Sequence, residues 1–214
     1  MARYKNGING QLSGKVGSVI ASSWRGVDYL KGLNNSSGKR RTAGQLRQQE
    51  VFALVTRWLK PVRDVVWIGF QSVREAKTPM NEAISLVMRH AVVFVDGKPL
   101  IDFPKVVFSR GVLLASWVTG VFALPGAGLR VEWLNASGSV CCNGDDDRAC
   151  FLFYNLPKGC FAVFMEDALR ADGSAVLQLP ADFAGDAVQG YMFYTCAAGK
   201  RVSTSVYLGC MVLV

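Results

Sequence analysis

Histidine is almost missing from this chain: His90 is the only one among 214 residues. Any arrangement that pairs a serine or cysteine nucleophile with an imidazole base has to be built on that one side chain. It falls at the end of an expected helix beside Arg89, where it reads as a solvated group near the negative end of the helix dipole. There is no Gly-x-Ser-x-Gly elbow. Long apolar runs are missing too: stretches such as Val65-Val66-Trp67-Ile68-Gly69-Phe70 fall far short of the roughly 20 residues of a membrane-spanning helix. The start, Met1-Ala-Arg-Tyr-Lys-Asn-Gly7, has basic residues without the apolar stretch of a secretory signal, so cytoplasmic or virion-associated residence with reduced thiols is expected. No Cys-x-x-Cys pair occurs, and the adjacent Cys141 and Cys142 bridge only under strain. With one remote histidine the ligand spacing of a zinc site is lacking. Cys160, Cys196 and Cys210, set in apolar β-like stretches, read as small core hydrophobes. General disorder is excluded by a hydrophobic content of 50%.

Acidic residues are scarce in the first half only. Residues 1–110 carry 18 Lys and Arg against 7 Asp and Glu, and residues 111–214 carry 6 against 9, together the net +8 of the chain. All six cysteines lie in the second half. Residues 1–41 form a basic, glycine-punctuated arm with eight cations and one acid, Asp28, and with β-like pieces at Val16–Trp24 and Val27–Leu30. Such an arm buries little alone and has to lie on its own body, a neighbouring subunit or nucleic acid.

After the linker Asn34-Asn-Ser-Ser-Gly38 and the triplet Lys39-Arg40-Arg41, Thr42-Ala-Gly-Gln45 fits a capping box, and a broad apolar face runs through Val51, Val55 and Leu59. Pro61 restarts a second helical piece over about 62–76, and Thr78-Pro79 opens a third that runs to Ala91. From about 106 the period becomes two. Strands are expected at Lys105–Ser109, Ser116–Leu124, Gly128–Leu134, Ala149–Tyr154, Gly159–Met165, Ser174–Leu179, Ala187–Thr195 and Arg201–Val212. Short strands at this spacing predict an antiparallel β-sandwich of immunoglobulin or fibronectin-III type with Trp133 in its core. The expected organisation is α+β: a basic extended or β arm over 1–41, a helical segment over 42–104 and the sandwich over 105–214.

Three other features bear on chemistry. Gly10-Gln-Leu-Ser-Gly14-Lys15-Val16 resembles a phosphate loop but has one residue too few between its glycines, and Val16 stands where a hydroxyl would hold magnesium. Asn143-Gly-Asp145-Asp146-Asp147 alternates oxygen ligands as calcium loops do. It lacks the glycine and glutamate of an EF-hand and reads as a solvated hairpin loop. Most remaining acids in the second half sit in turns, where they bond local amides. No enzyme constellation, metal site or cofactor site emerges.

The opening Arg3-Tyr-Lys-Asn-Gly-Ile-Asn-Gly10, Ser13-Gly-Lys-Val-Gly-Ser-Val19 and Ser23-Trp-Arg-Gly-Val-Asp-Tyr29 resembles an uncharacterised family abundant in Bacteroidota. Thr42-Ala-Gly-Gln45-Leu46, Leu179-Pro-Ala-Asp-Phe-Ala-Gly-Asp186 and Ser205-Val-Tyr-Leu-Gly209 carry the same resemblance to the rest of the family. It implies a β-rich end and, the family being one of unknown function, says little about activity. Residues 39–92 also resemble segments of small tailed-phage and prophage proteins, with Arg41-Thr-Ala-Gly-Gln45 in place of their Arg-Thr-Pro-x-Gln.

These readings favour a non-catalytic structural or assembly protein, phage-related or from a mobile element. It would be a homo-oligomer or a subunit of a larger assembly, with Trp24, Arg25 and Tyr29 as contacts. The alternative is nucleic-acid binding through Arg3, Lys5, Lys15, Lys39, Arg40 and Arg41, the cations neutralising phosphates and the aromatics stacking bases. An extracellular adhesion module is a third reading.

Overall fold

A computed structural model describes residues 2–3, 12–24, 26–33, 40–72, 77–135 and 144–214. Its contacts divide the chain into two compact units, Met1–Ala43 and Gly44–Val214. The fold is α+β with antiparallel sheets.

The first unit is a sheet. Strands β1 (Ala2–Arg3), β2 (Gly14–Val16), β3 (Val19–Trp24) and β4 (Val27–Gly32) pair antiparallel in the order β1-β4-β3-β2. Gly17, at φ 58°, supplies the left-handed backbone of the two-residue turn that joins β2 to β3.

The second unit has three layers. Helices α1 (Ala43–Leu59), α2 (Arg63–Gly69) and α3 (Pro79–His90) form one of them. Pro61, in the single 3-10 turn Lys60–Val62, separates α1 from α2 because its ring forbids continuation of the amide ladder. Thr78 caps α3 as the sequence predicts: its Oγ1 accepts the Asn81 N–H at 3.1 Å, with Pro79 in the first turn. The hairpin β5 (Val92–Val95) and β6 (Lys98–Ile101) follows, at a place where no strand was expected.

Strands β7 (Trp117–Leu124), β8 (Gly128–Leu134), β9 (Arg148–Asn155), β10 (Cys160–Leu169), β11 (Ser174–Gln178), β12 (Ala187–Thr195) and β13 (Val206–Val212) make two sheets, ordered β11-β8-β7 and β10-β9-β12-β13. Phe151, Phe153, Met192 and Tyr194 of the four-stranded sheet share a core with Leu129, Val131, Trp133 and Leu177 of the three-stranded one. The four-stranded sheet is apolar on its other face as well. There Cys150, Leu152, Tyr191 and Phe193 join Val55, Trp58, Leu59, Val66 and Phe108 in a second core. Trp58 is its centre, with ring centroids 5.3 Å from Phe161, 5.5 Å from Phe108 and Tyr154, and 6.1 Å from Phe103.

The expected strand at Lys105–Ser109 is instead a clasp. A 3-10 turn at Phe103–Lys105 runs into irregular chain, and the backbone groups of this stretch bond elsewhere than in a ladder. The Phe108 N–H donates to Ser205 Oγ at 3.0 Å, the Ser205 N–H to the Ser109 carbonyl at 3.0 Å, and the Arg110 N–H to the Gly69 carbonyl at 3.0 Å. Gly111 passes so close to Val202 that a Cβ would stand 2.0 Å from the Val202 carbonyl oxygen. Arg201–Val212 likewise becomes a strand only from Val206, since Val202–Ser205 serves this clasp.

Truncating Trp58 to alanine leaves a cavity between helices and sheet. The expected loss is about 3–5 kcal/mol, read in urea as a lower midpoint with an unchanged slope.

Candidate functional site

The register of the N-terminal sheet sorts its residues by face, since residues directly opposite in an antiparallel pair project to the same side and neighbours along a strand alternate. Lys15 pairs with Ile20, and Ile20 with Lys31. Ser22 pairs with Tyr29, and Tyr29 with Arg3 of β1. Trp24 pairs with Val27. These rows fall on one side. The other side takes Val16 and Val19, then Gly14, Ala21 and Leu30, then Ser23 and Asp28. The sheet thus has a basic and aromatic face and an aliphatic one, and the acid Asp28 lies on the aliphatic side. Lys15, Lys31 and Trp24 are exposed, while Ile20 and Tyr29 are half-buried.

Trp24 and Tyr29, expected as assembly contacts, therefore share a face with Lys15, expected as a nucleic-acid contact. Arg25, Lys5 and Lys39 lie outside the described residues. Arg40 and Arg41 are exposed just ahead of α1 and belong to no strand. Lys31 was not picked out, although the alternation Val27, Tyr29, Lys31 marks it in the sequence. The boundary between the units also sharpens the charge asymmetry. Residues 1–43 hold 8 Lys and Arg against 1 acid, and residues 44–214 hold 16 against 15, so nearly all the net charge belongs to the sheet unit.

The loop read as solvated aspartates is different at its end. Asp145 and Asp146 are exposed, but Asp147 is buried and its Oδ2 meets Arg170 Nε at 3.0 Å, with both side chains almost fully enclosed. Arg170 also donates to the Leu114 carbonyl at 2.9 Å and to Ser116 Oγ at 3.3 Å, and its guanidinium lies 3.8 Å from the centroid of the Tyr194 ring. The Arg170 carbonyl accepts the Trp133 indole N–H at 3.0 Å. The Arg170 guanidinium spends its hydrogen bonds inside the protein, so the cluster is a structural plug at one end of the paired sheets. Among the described residues no three His, Cys, Asp or Glu side chains gather closely enough to hold a metal ion. None of the helices described is long and apolar enough to cross a membrane.

Leu179–Asp186 closes the opposite turn. Phe183 is buried in the core between the sheets, and the Gly185 N–H donates to the Leu213 carbonyl at 3.0 Å. Asp186 accepts from Lys158 Nζ and from Asn155 Nδ2, each at 2.8 Å, and these bonds, that of Lys158 first, hold its carboxyl below the usual value. Ser205–Gly209 supplies the clasp and the Tyr207 hydroxyl that meets Gln189. Both stretches that carry the resemblance in the second half thus have structural duties.

The thiols differ. Burial pushes Cys150 up to about 12. At Cys196 burial also acts upward, but the amides of Arg201, Lys200 and Ala198 outweigh it and leave the thiol below its usual value. Cys196 is buried as expected, whereas Cys210 is exposed on β13 and Cys160 only half-buried.

Arg170→Ala leaves the Asp147 carboxylate buried and unpaired, with an expected cost of about 3–5 kcal/mol in denaturant unfolding. Asp186, having a lowered value in the folded state, contributes stability that is fully present above the ordinary aspartate range near pH ~4 and is lost as the pH falls through its own value. Asp186→Asn should flatten that acid limb of a stability-versus-pH curve and leave the neutral region with a constant offset.

A family model described as a family of unknown function, DUF6266, matches residues 11–209. No curated protein matches the chain.

Proposed function

Since the chain belongs to the DUF6266 family, whose function is not established, we propose from its own geometry that it is a non-catalytic structural protein, one subunit of a larger assembly. One observation carries this reading: of the described residues in the N-terminal sheet only Ala21 is buried. A small sheet is marginal in water until one face is covered by a second layer. The aliphatic face, with Val16 at 72% and Val19 at 37% exposed, is the surface a neighbouring copy of the chain would cover.

The second unit supports the same reading. We take it as a rigid immunoglobulin-like sandwich backed by helices. Its seven strands β7 to β13 fall into a sheet of the first, second and fifth and a sheet of the fourth, third, sixth and seventh, an order that suits the fibronectin-III arrangement. The outer face of the three-stranded sheet leaves Trp117, Phe122, Leu134 and Val176 exposed, a concentration of apolar surface that suits contact with further subunits. An assembly of the kind built by tailed phages fits this plan.

Size-exclusion chromatography with light scattering on the full chain should give a defined oligomer. Val16→Asp with Val19→Asp, which place two charges on the aliphatic face, should convert it to monomer without altering the circular dichroism of the second unit. A monomeric full chain overturns the reading.

A further inference from the structure

The face of the N-terminal sheet opposite the aliphatic one is left unused by that assembly, and we propose that it is a platform for single-stranded nucleic acid. Three observations converge there. The two central strands of the four, β3 and β4, carry one aromatic each, Trp24 and Tyr29. Trp24 lies two residues along β3 from Ser22, the partner of Tyr29, so the two rings stand at diagonal positions on neighbouring strands, about 7–8 Å apart at the backbone. That places two bases side by side on the sheet, each lying on one ring.

The cations flank the rings. Lys15 on the edge strand β2 and Lys31 on β4 bracket Ile20 in the row at one end of the face. A strand of phosphates crossing the sheet meets positive charge on its way past the aromatics. Finally, Asp28 lies on the opposite face, and the sheet unit holds 8 cations against that one acid while the rest of the chain is close to neutral. The field therefore draws a polyanion to this unit rather than to the second.

The rings decide among polyanions. An acidic peptide uses the lysines and gains little from two flat aromatic faces, whereas every nucleobase has a π-face to stack on them. A duplex keeps its bases inside and offers only its backbone to a sheet, so single strands are the form that engages both features.

The test uses the full chain and a fluorescently labelled oligothymidylate of twelve nucleotides, with binding read by anisotropy across a salt series. Three competitors accompany it: the same length of duplex, heparin and polyglutamate. The oligothymidylate should bind in preference to all three. Trp24→Ala should weaken binding about ten-fold, the loss expected of one stacked base, and Trp24→Phe should restore most of it. Lys15→Gln with Lys31→Gln should remove two phosphate contacts and make the log–log salt slope shallower by about 1.4. Binding that heparin or polyglutamate matches, and that Trp24→Ala leaves unchanged, overturns the platform in favour of plain charge attraction. Equal affinity for duplex, or no binding, overturns it too. The Val16→Asp and Val19→Asp variant, run alongside, separates the two proposals: its binding persists if the platform is right, whatever becomes of the oligomer.

Discussion

The second unit depends on one constraint: its central sheet is apolar on both sides. From Ala149 to Phe153 every residue of β9 is fully buried, and β12 is buried at nearly every position beside it. A strand of that kind cannot leave either face in water. The helices and the three-stranded sheet are two answers to the same demand, one on each side. Trp58 and Trp133 occupy equivalent places in the two cores, each set against aromatic residues of the sheet between them. The ends of the layers are closed by polar plugs, Arg170 with Asp147 and Asp186 with Lys158, which satisfy backbone and charge where apolar packing runs out.

The sequence shows part of this plainly. Gly128–Leu134 alternates cleanly, and its strand has those bounds. The cap at Thr78 is legible because a short hydroxyl before proline has a known local duty. The hairpin at 92–101 was legible and missed: Asp96-Gly97, at φ 50° and 76°, is the turn pair that two-residue hairpins favour, and it stands between two apolar runs. The second core was harder to see. Period-two reasoning looks for one buried face, and it is the failure of alternation in Cys150–Tyr154 and Tyr191–Cys196 that signals two. A buried Arg170 has no such signal, because arginine is normally a surface residue and its partner lies 23 positions away.

The candidate surface was half legible. Composition marks the first residues as basic and aromatic, but only pairing register tells which side chains share a face. Had β3 and β4 slipped by one residue, Lys31 and Tyr29 would have changed sides together and the two aromatics would no longer share a face. The division into a charged face and an aliphatic one is thus a property of hydrogen-bonded pairing more than of residue content.

The clasp has a consequence in time. Its hydrogen bonds join residues 97 and 94 positions apart, linking Phe108 to Ser205 and Ser109 to Ser203. Contacts of such separation form late, because a long loop has to close before they reward the chain. The helices therefore wait with their apolar faces uncovered until β12 and β13 have been synthesised. The pairs of the N-terminal sheet all lie within the first 32 residues. On a translating ribosome every pairing partner of that sheet has emerged while most of the second unit is still to be made, so the two units close on different clocks.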